Sequence, residues 1–214
     1  MRVFQFQFQK PLNVNINLDI YNNMKKLLFV LLLLPVALVA QRDSVYIKTD
    51  IFTAVYSEVL QQPKWVTYTV QCPTGAASRK GMDFYTVKGV ITSDAADYVS
   101  NVWDKGHCAP AADFNCTREM LYKTFSYVNC VLQHERLNRG VWRLLESYER
   151  QLAATNTVYV EIRMVYSKNS QVLATGATVP DGFYKIIKYG TTVEKYYFPN
   201  TSPTQSDFKL FKIQ

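Results

Sequence analysis

The residues best suited to bond-breaking chemistry are concentrated between positions 104 and 150. This stretch opens with DKGH at positions 104–107 and closes on a segment of helical spacing at 138–150. At roughly 100° per residue, four side chains of that segment share one slanting ridge: Asn138, Trp142, Glu146 and Arg150. An imidazole that titrates near neutral pH is the usual general base in proteins, so His107 beside this ridge predicts acid–base chemistry.

The helical segment also carries an apolar stripe beside the ridge. Its members are Val141, Leu144, Leu145, Tyr148 and Leu152. The stripe predicts that the helix packs on the core through these residues and presents the amide, carboxylate and guanidinium of the ridge toward a site. Trp142 is expected to be a core residue and not a stacking platform.

The composition indicates one folded domain. The chain has 214 residues, of which 48% are hydrophobic and 14% aromatic, which is enough for one sizeable core and excludes a disordered chain. The formal net charge is +7. Residues 1–40 carry four basic and one acidic side chain, so the remainder keeps a net charge of +4. This balance is compatible with a polyanionic partner but is common among ordinary soluble proteins.

The first 40 residues predict a signal peptide behind an upstream extension. Residues 1–23 are polar and Asn-rich and resemble no domain, whereas 24–40 read MKKLLFVLLLLPVALVA. A positive start followed by a short apolar run is the pattern of a secretory signal peptide. We therefore expect translation to begin at Met24 and a single mature domain over 41–214. The alternative, a permanent membrane anchor, is disfavoured because the run is shorter than ~20 residues and contains Pro35.

Apolar alternation and β-branched content predict strands on both sides of the central stretch. The predicted strands are 44–47, 51–59, 65–70, 84–92, 157–166, 171–179 and 183–189. Pro, Gly and Ser predict a loop at 72–81, and apolar residues at helical spacing predict a helix within 116–128. The predicted order of elements is a group of strands, a helical central region and a second group of strands. This order predicts an α+β fold with a mainly antiparallel sheet.

Three motifs in the central stretch carry a family resemblance. They are DKGHxAPAAD at 104–113, VNxVxQ at 128–133 and LNRGxWxxLE at 137–146. In this order they resemble the DNA/RNA non-specific endonuclease family, an endonuclease G-like branch of the ββα-metal nucleases. The likeness covers roughly residues 50–211 and implies a His-Me finger-like ββα-metal motif within the predicted fold. One motif alone would be weak, whereas three in order are specific.

The resemblance implies a role for each candidate catalytic residue. His107 would be the general base that deprotonates the attacking water, whereas His134 lies in a charged run. Asn138 would be the single direct protein ligand of Mg²⁺, with Mn²⁺ as a substitute. Glu146 would hold a metal-bound water. Asn129 would orient the residues of the site without binding the metal itself.

Basic residues are expected to bind the phosphate. Arg150 would clamp it, with Arg79 as companion and Lys80 as the alternative to Arg79. Lys105 stands where the family usually has Arg. Because an ammonium lacks the planar fork of a guanidinium, we expect a weaker phosphate contact at Lys105.

Two of these residues also have purely structural interpretations. Asn138 precedes a helix and would serve equally as its N-cap. Glu146 and Arg150 are four residues apart, the spacing of an ordinary surface ion pair worth about 0.2–0.5 kcal/mol. The sequence leaves these alternatives open.

The disulfide pattern is also left open by the sequence. The four cysteines are Cys72, Cys108, Cys116 and Cys130, which allow three connectivities. Cys108 and Cys130 adjoin His107 and Asn129. A bridge to either of them would stiffen the site. A zinc site is disfavoured because no Cys-x-x-Cys pair exists.

The resulting functional prediction is a secreted or periplasmic, Mg²⁺-dependent endonuclease with DNA and RNA as partners. The resemblance implies 5′-phosphate and 3′-hydroxyl ends, and backbone contacts by basic residues imply little sequence preference. The alternative is a catalytically weak or inactive nucleic-acid-binding homologue. No stable membrane insertion is expected after signal cleavage, and homodimerisation is left open.

The signal-peptide pattern predicts a mature N-terminus at Gln41. Mass-spectrometric sequencing of protein recovered from the extracytoplasmic fraction should find the chain beginning at that residue. Recovery of protein that retains residues 27–39 would instead support a membrane anchor.

Overall fold

The computed structural model describes residues 40–214, and the predicted signal peptide lies almost wholly outside them. Residues Gln41–Gln214 group together as one compact unit. Nine strands occur in this part of the chain. They are β1 (Val45–Lys48), β2 (Phe52–Ser57), β3 (Gln62–Thr69), β4 (Trp103–His107), β5 (Cys130–His134), β6 (Val158–Val165), β7 (Gly182–Tyr189), β8 (Thr192–Pro199) and β9 (Lys212–Ile213).

The strands form two antiparallel sheets. The larger sheet has seven strands in the order β1-β2-β3-β6-β7-β8-β9, and β4 pairs with β5 in a separate two-stranded sheet. The helices are α1 (Arg118–Lys123), α2 (Glu135–Leu137) and α3 (Arg143–Ala153), and a π-helical turn at Asn138–Trp142 joins α2 to α3. The α+β class and the mainly antiparallel sheet are confirmed.

Most of the predicted strands are present, but two are wrong. Segments 84–92 and 171–179 are irregular and make only the isolated bridges Tyr85–Ser126 and Val172–Thr178. Their β-branched and aromatic composition predicted strands, but composition does not supply a neighbouring strand to pair with. Strands β4, β5, β8 and β9 were not predicted. The helix expected within 116–128 is limited to α1, which Thr117 begins by accepting a hydrogen bond from the Met120 amide.

The turn that leads into helix α3 packs on the large sheet through aromatic contacts of Trp142. The Trp142 ring lies 5.4 Å from that of Phe183 and 5.5 Å from that of Phe198, centroid to centroid, so its expected place in the core is confirmed. Val141 and Leu145 of the predicted apolar stripe are also buried. The stripe is wrong at Leu144, whose side chain is exposed.

A buried ion pair also joins helix α3 to the sheet, where the apolar stripe predicted only apolar contacts. Glu149 of α3 and Lys185 of β7 are both fully buried, with Oε1 and Nζ 2.7 Å apart. The Tyr68 hydroxyl of β3 donates a 2.7 Å hydrogen bond to the other Glu149 oxygen. Lys185 Nζ lies 4.3 Å from the centroid of the Trp142 ring. Helix α3 is therefore joined to two strands of the sheet by polar contacts inside the core.

One disulfide is present in the described residues. It joins Cys72 to Cys116, whereas Cys108 and Cys130 are buried free thiols. The loop after Cys72 is further tied down because the Asp113 carbonyl accepts from the Gln71 and Cys72 amides. Within residues 40–214 no helix has the length and apolar character needed to cross a membrane.

Candidate active site

The β4–β5 pair positions the histidine. His107 is the last residue of β4 and lies opposite Cys130 of β5. The chain then turns through Cys108 and Ala109, which are held by Asn129 just before β5. The Asn129 side chain accepts from the Ala109 amide at 2.8 Å and donates to the Ala109 and Thr124 carbonyls at 2.9 and 3.0 Å. Asn129 thus fixes the chain behind His107 without reaching the cavity.

The imidazole of His107 lies in an aromatic pocket beside a cation. Its ring centroid is 4.8 Å from Phe84 and 4.9 Å from Phe125. Burial, and to a lesser degree the Arg79 guanidinium, lower the pKa of His107 to about 3. Nε2 is buried and has no hydrogen-bond partner among the described residues, so a second ring proton would have no acceptor there. The imidazole is consequently neutral at physiological pH.

Asn138 is helical, and its side chain caps nothing. Its backbone angles are φ −57° and ψ −51°, which lie in the helical region that an N-cap residue avoids. Its Nδ2 instead donates to Asp104 Oδ2 at 2.9 Å, and Arg139 binds both oxygens of the same carboxylate. The N-cap interpretation is therefore wrong. Because Asp104 engages Nδ2, the amide oxygen is left available to a ligand.

Glu146 lies two turns beyond Asn138 on the same side of the cavity. Burial raises the pKa of Glu146 to about 7, Lys185 opposes the rise, and the nearby Glu149 carboxylate adds to it. A carboxyl group that titrates near neutrality can hold or release a proton at low cost, as acid–base sites require.

Arg150 pairs with an aspartate and not with Glu146. Its Nη1 donates to Asp113 Oδ1 at 2.9 Å, and its Nη2 donates to Ser147 Oγ at 3.0 Å. Burial raises the pKa of the Asp113 carboxyl above its ordinary value, and the Arg150 guanidinium opposes that rise. The surface-pair interpretation of Glu146 and Arg150 is thus wrong, and Asp113 is a positioning residue that helix periodicity did not reveal.

The remaining basic candidates differ in how freely they face the cavity. The Lys105 ammonium contacts Asp83 at 3.2 Å and lies 5.5 Å from the Phe84 and Tyr127 ring centroids, so it is partly engaged. Arg79 is exposed and lines the cavity. Lys80, the alternative to Arg79, does not line it.

These groups meet in one open cavity of about 630 Å³. The predicted residues that line it are Arg79, Lys105, His107, Asn138, Glu146 and Arg150. Asp104, Arg139, Arg143 and Ser147 also line it but were not predicted. The two arginines could have been found from the motifs, because Arg139 follows Asn138 directly and Arg143 comes one helical turn later. Five basic and two acidic side chains make the cavity positive, which suits a phosphate.

The donor set of the cavity fits a hard divalent cation. Asn138 Oδ1 and the Glu146 carboxylate offer oxygen atoms, the type of donor that Mg²⁺ prefers. Nowhere in residues 40–214 do three His, Cys, Asp or Glu side chains group closely enough to hold a metal ion by themselves. An ion in this cavity would keep mostly water and phosphate ligands, as Mg²⁺ commonly does.

We predict that Glu146→Gln stabilises the metal-free protein at alkaline pH. The pKa of Glu146 is about 7 in the folded protein against an ordinary value of 4.5, so the folded state holds the proton more tightly than the unfolded chain. The free energy of unfolding therefore loses this contribution as pH rises from about 4.5 to about 7. Glutamine cannot ionise. In EDTA at pH 8, denaturant unfolding should give the variant a free energy of unfolding about 1–3 kcal/mol above the parent.

The matched control for this prediction is Glu119→Gln. The Glu119 side chain is 80% exposed on α1, so its replacement should change the free energy of unfolding little at any pH. Parent and Glu146→Gln should be equally stable at pH 4.5. Equal stability at pH 8 as well would contradict the raised pKa.

The sequence of the chain is similar to those of known nucleases. The zebrafish (Danio rerio) protein named mitochondrial nuclease EXOG is 32% identical over 102 residues, which is 45% of this chain and 30% of that protein. The Serratia marcescens nuclease is 27% identical over 168 residues, 70% of this chain and 62% of that protein. The chain therefore spans less than a third of the zebrafish protein.

The fold is likewise similar to that of a solved nuclease. A crystal structure of the EndoG/EndoGI complex, whose subject is the inhibition of EndoG, contains a chain with a TM-score of 0.71 and 23% identity. The match covers 79% of this chain and 80% of that chain. This likeness supports the ββα arrangement that β4, β5 and α3 make around the cavity. The model of the family described as DNA/RNA non-specific endonuclease matches residues 35–213, so this protein belongs to that family.

Proposed function

We propose that this protein is a divalent-metal-dependent endonuclease that hydrolyses phosphodiester bonds of DNA and RNA with little sequence preference. The observation that carries the proposal is the convergence of a neutral histidine, an amide oxygen, a carboxylate and several guanidinium groups on one positive cavity. Hydrolysis of a phosphodiester requires a base for water, stabilisation of the growing negative charge and a clamp on the phosphate. The cavity offers a group for each.

His107 is the proposed general base. Because its imidazole is neutral, it can accept a proton from a water molecule in the cavity without first losing one. A pKa of about 3 makes it a weak base in the free protein. A phosphate bound beside Arg79 would offset the cation that contributes to the low pKa, so substrate binding would make His107 a stronger base.

Asn138 and Glu146 are the residues that would hold Mg²⁺ or Mn²⁺. The ion would supply Lewis-acid stabilisation of negative charge on the phosphate and the leaving 3′ oxygen. The hydrogen bond from Asn138 Nδ2 to Asp104 fixes the amide so that Oδ1 is the atom left for the ion. The Glu146 carboxylate would accept hydrogen bonds from water at the ion.

Arg150 and Arg79 are the proposed phosphate ligands. Asp113 and Ser147 hold the Arg150 guanidinium through Nη1 and Nη2, which orients its plane before substrate arrives. Contacts of this type read the backbone and not the bases, so little sequence preference follows. Lys105 would add charge more weakly because Asp83 already pairs with it.

Export is part of the proposal. The Cys72–Cys116 disulfide is the type of bond that persists in oxidising compartments, which agrees with the predicted signal peptide. Secreted or periplasmic placement is therefore proposed.

A catalytically weak or inactive nucleic-acid-binding protein is the second candidate. The observation that favours it is Lys105, which stands where the family usually has Arg and is drawn into contact with Asp83. The two candidates differ in turnover and not in binding, so an activity assay separates them.

We predict that the parent nicks supercoiled plasmid in Mg²⁺ and not in EDTA, and that His107→Ala lowers turnover at least ~10²-fold. DNA binding, measured by fluorescence anisotropy, should change little because the imidazole is neutral. His134→Ala is the matched control, since His134 lies outside the cavity and its ring accepts from the Arg136 amide.

Three results would decide the matter. Loss of turnover in His107→Ala but not in His134→Ala supports the proposed base. Equal turnover in His107→Ala and the parent removes His107 from the mechanism. A parent that binds DNA but does not nick it in Mg²⁺ or Mn²⁺ establishes the second candidate.

A further inference from the structure

Two tyrosines form a stacked pair on the surface next to the catalytic cavity. The rings of Tyr85 and Tyr122 lie 4.9 Å apart between centroids, with 22° between their planes. Tyr122 is 45% exposed, so part of its side chain is open to solvent. Half-exposed aromatic rings next to a nucleic-acid site are suited to stacking on bases.

The position of Tyr85 is fixed by the backbone. Its amide donates to the Phe125 carbonyl at 2.9 Å, and its carbonyl accepts from the Tyr127 amide at 3.0 Å. The preceding residue, Phe84, lines the cavity and contacts the His107 ring. The stacked pair is therefore one residue along the chain from the wall of the cavity.

Basic residues occupy the loop that lines the cavity and the helix that carries Tyr122, and they are called the strip here. Arg118 lies one turn before Tyr122 on α1, and its guanidinium donates to the Ser78 and Lys80 carbonyls at 2.9 and 3.1 Å. These contacts hold the loop that carries Arg79, which lines the cavity. The strip therefore consists of Arg79, Lys80 and Arg118.

The acidic side chains near the strip are paired with lysines. Asp83 contacts Lys105 at 3.2 Å, and Glu119 contacts Lys123 at 3.1 Å. Lys123 also reaches Asp50 at 2.7 Å. Lys123 is thus shared by two carboxylates. The strip itself is positive because Arg79, Lys80 and Arg118 are all basic, which complements a nucleic-acid backbone.

We propose that the Tyr85–Tyr122 pair is a base-stacking subsite for a single-stranded segment of the substrate. The strip binds the sugar–phosphate backbone where it leaves the cavity, and the exposed Tyr122 ring stacks on an unpaired base. This subsite rests on the proposed nuclease function, because it takes the same nucleic acid as the cavity. It distinguishes strands with accessible bases from duplexes, whose bases are already stacked on one another.

The test measures binding in the His107→Ala protein, so that no substrate is cleaved. Two fluorescent 12-nucleotide single strands are compared by anisotropy: one with ordinary bases, and one of abasic residues with the same phosphates. The His107→Ala protein without further substitution should bind the base-bearing strand more tightly than the abasic strand. Tyr122→Ala should weaken binding of that strand at least about fivefold and leave the abasic strand unchanged, whereas Tyr122→Phe should retain binding.

Two controls complete the experiment. Tyr46→Ala removes a tyrosine that is 67% exposed on β1, outside the strip, and should leave both affinities unchanged. Arg118→Ala should weaken both strands alike and reduce the salt dependence of binding, because it acts on phosphates. Unchanged affinity of Tyr122→Ala for the base-bearing strand would overturn the subsite, as would equal losses for both strands.

Binding and turnover separate this inference from the proposed function. If Tyr122→Ala weakens binding but the parent protein, which retains His107, does not nick DNA, the subsite stands and the nuclease proposal fails. Normal nicking with no Tyr122 effect on binding would overturn the subsite alone.

Discussion

The buried ion pair between Glu149 and Lys185 is the constraint on which the site depends. Two charges removed from water are tolerated only when they meet each other, and loss of one partner of such a pair typically costs about 3–5 kcal/mol. Helix α3 can satisfy Glu149 in only one rotational setting on β7. In that setting Glu146 and Arg150 lie at the sides of Glu149 and reach the cavity. The polar core contact therefore sets which face of the helix does chemistry.

The other elements of the site are fixed by similar uses of buried polar groups. Asn129 ties the turn after His107 to the Thr124 carbonyl through three hydrogen bonds of its side chain, and Asp113 holds Arg150. Asp104 orients both Asn138 and Arg139. Asn138 and Arg150, two of the groups proposed to act on substrate, thus have partners that limit the rotation of their side chains. Such preorganisation lowers the cost of reaching a reactive geometry.

Sequence patterns predicted the parts of this protein that depend on local order. Alternation located β6, because Val158, Val160 and Ile162 all face the core. The spacing of Asn138, Glu146 and Arg150 predicted a shared ridge, and all three line one cavity. Their chemical roles remain proposals.

The errors arose where a distant residue decides the outcome. A helical wheel assigned Leu144 to the core because it cannot represent Lys185, which attracts Glu149 inward instead. Asn138 was open to an N-cap interpretation because the sequence does not show that α2 precedes it, so that Asn138 already has helical backbone angles and the kink before α3 falls at Gly140. The Cys72–Cys116 pairing likewise depends on how the loop after β3 returns to the segment after β4.

The most direct test of the central claim is the position of a bound metal relative to His107 and the α3 ridge. Crystals of the His107→Ala protein with a short uncleaved DNA and Mn²⁺ would locate the ion by anomalous scattering. The account predicts a single peak in the cavity beside Asn138 Oδ1, with Glu146 and a DNA phosphate around it. A peak elsewhere in the protein, with Asn138 still bound only to Asp104 and the DNA outside the cavity, would contradict it.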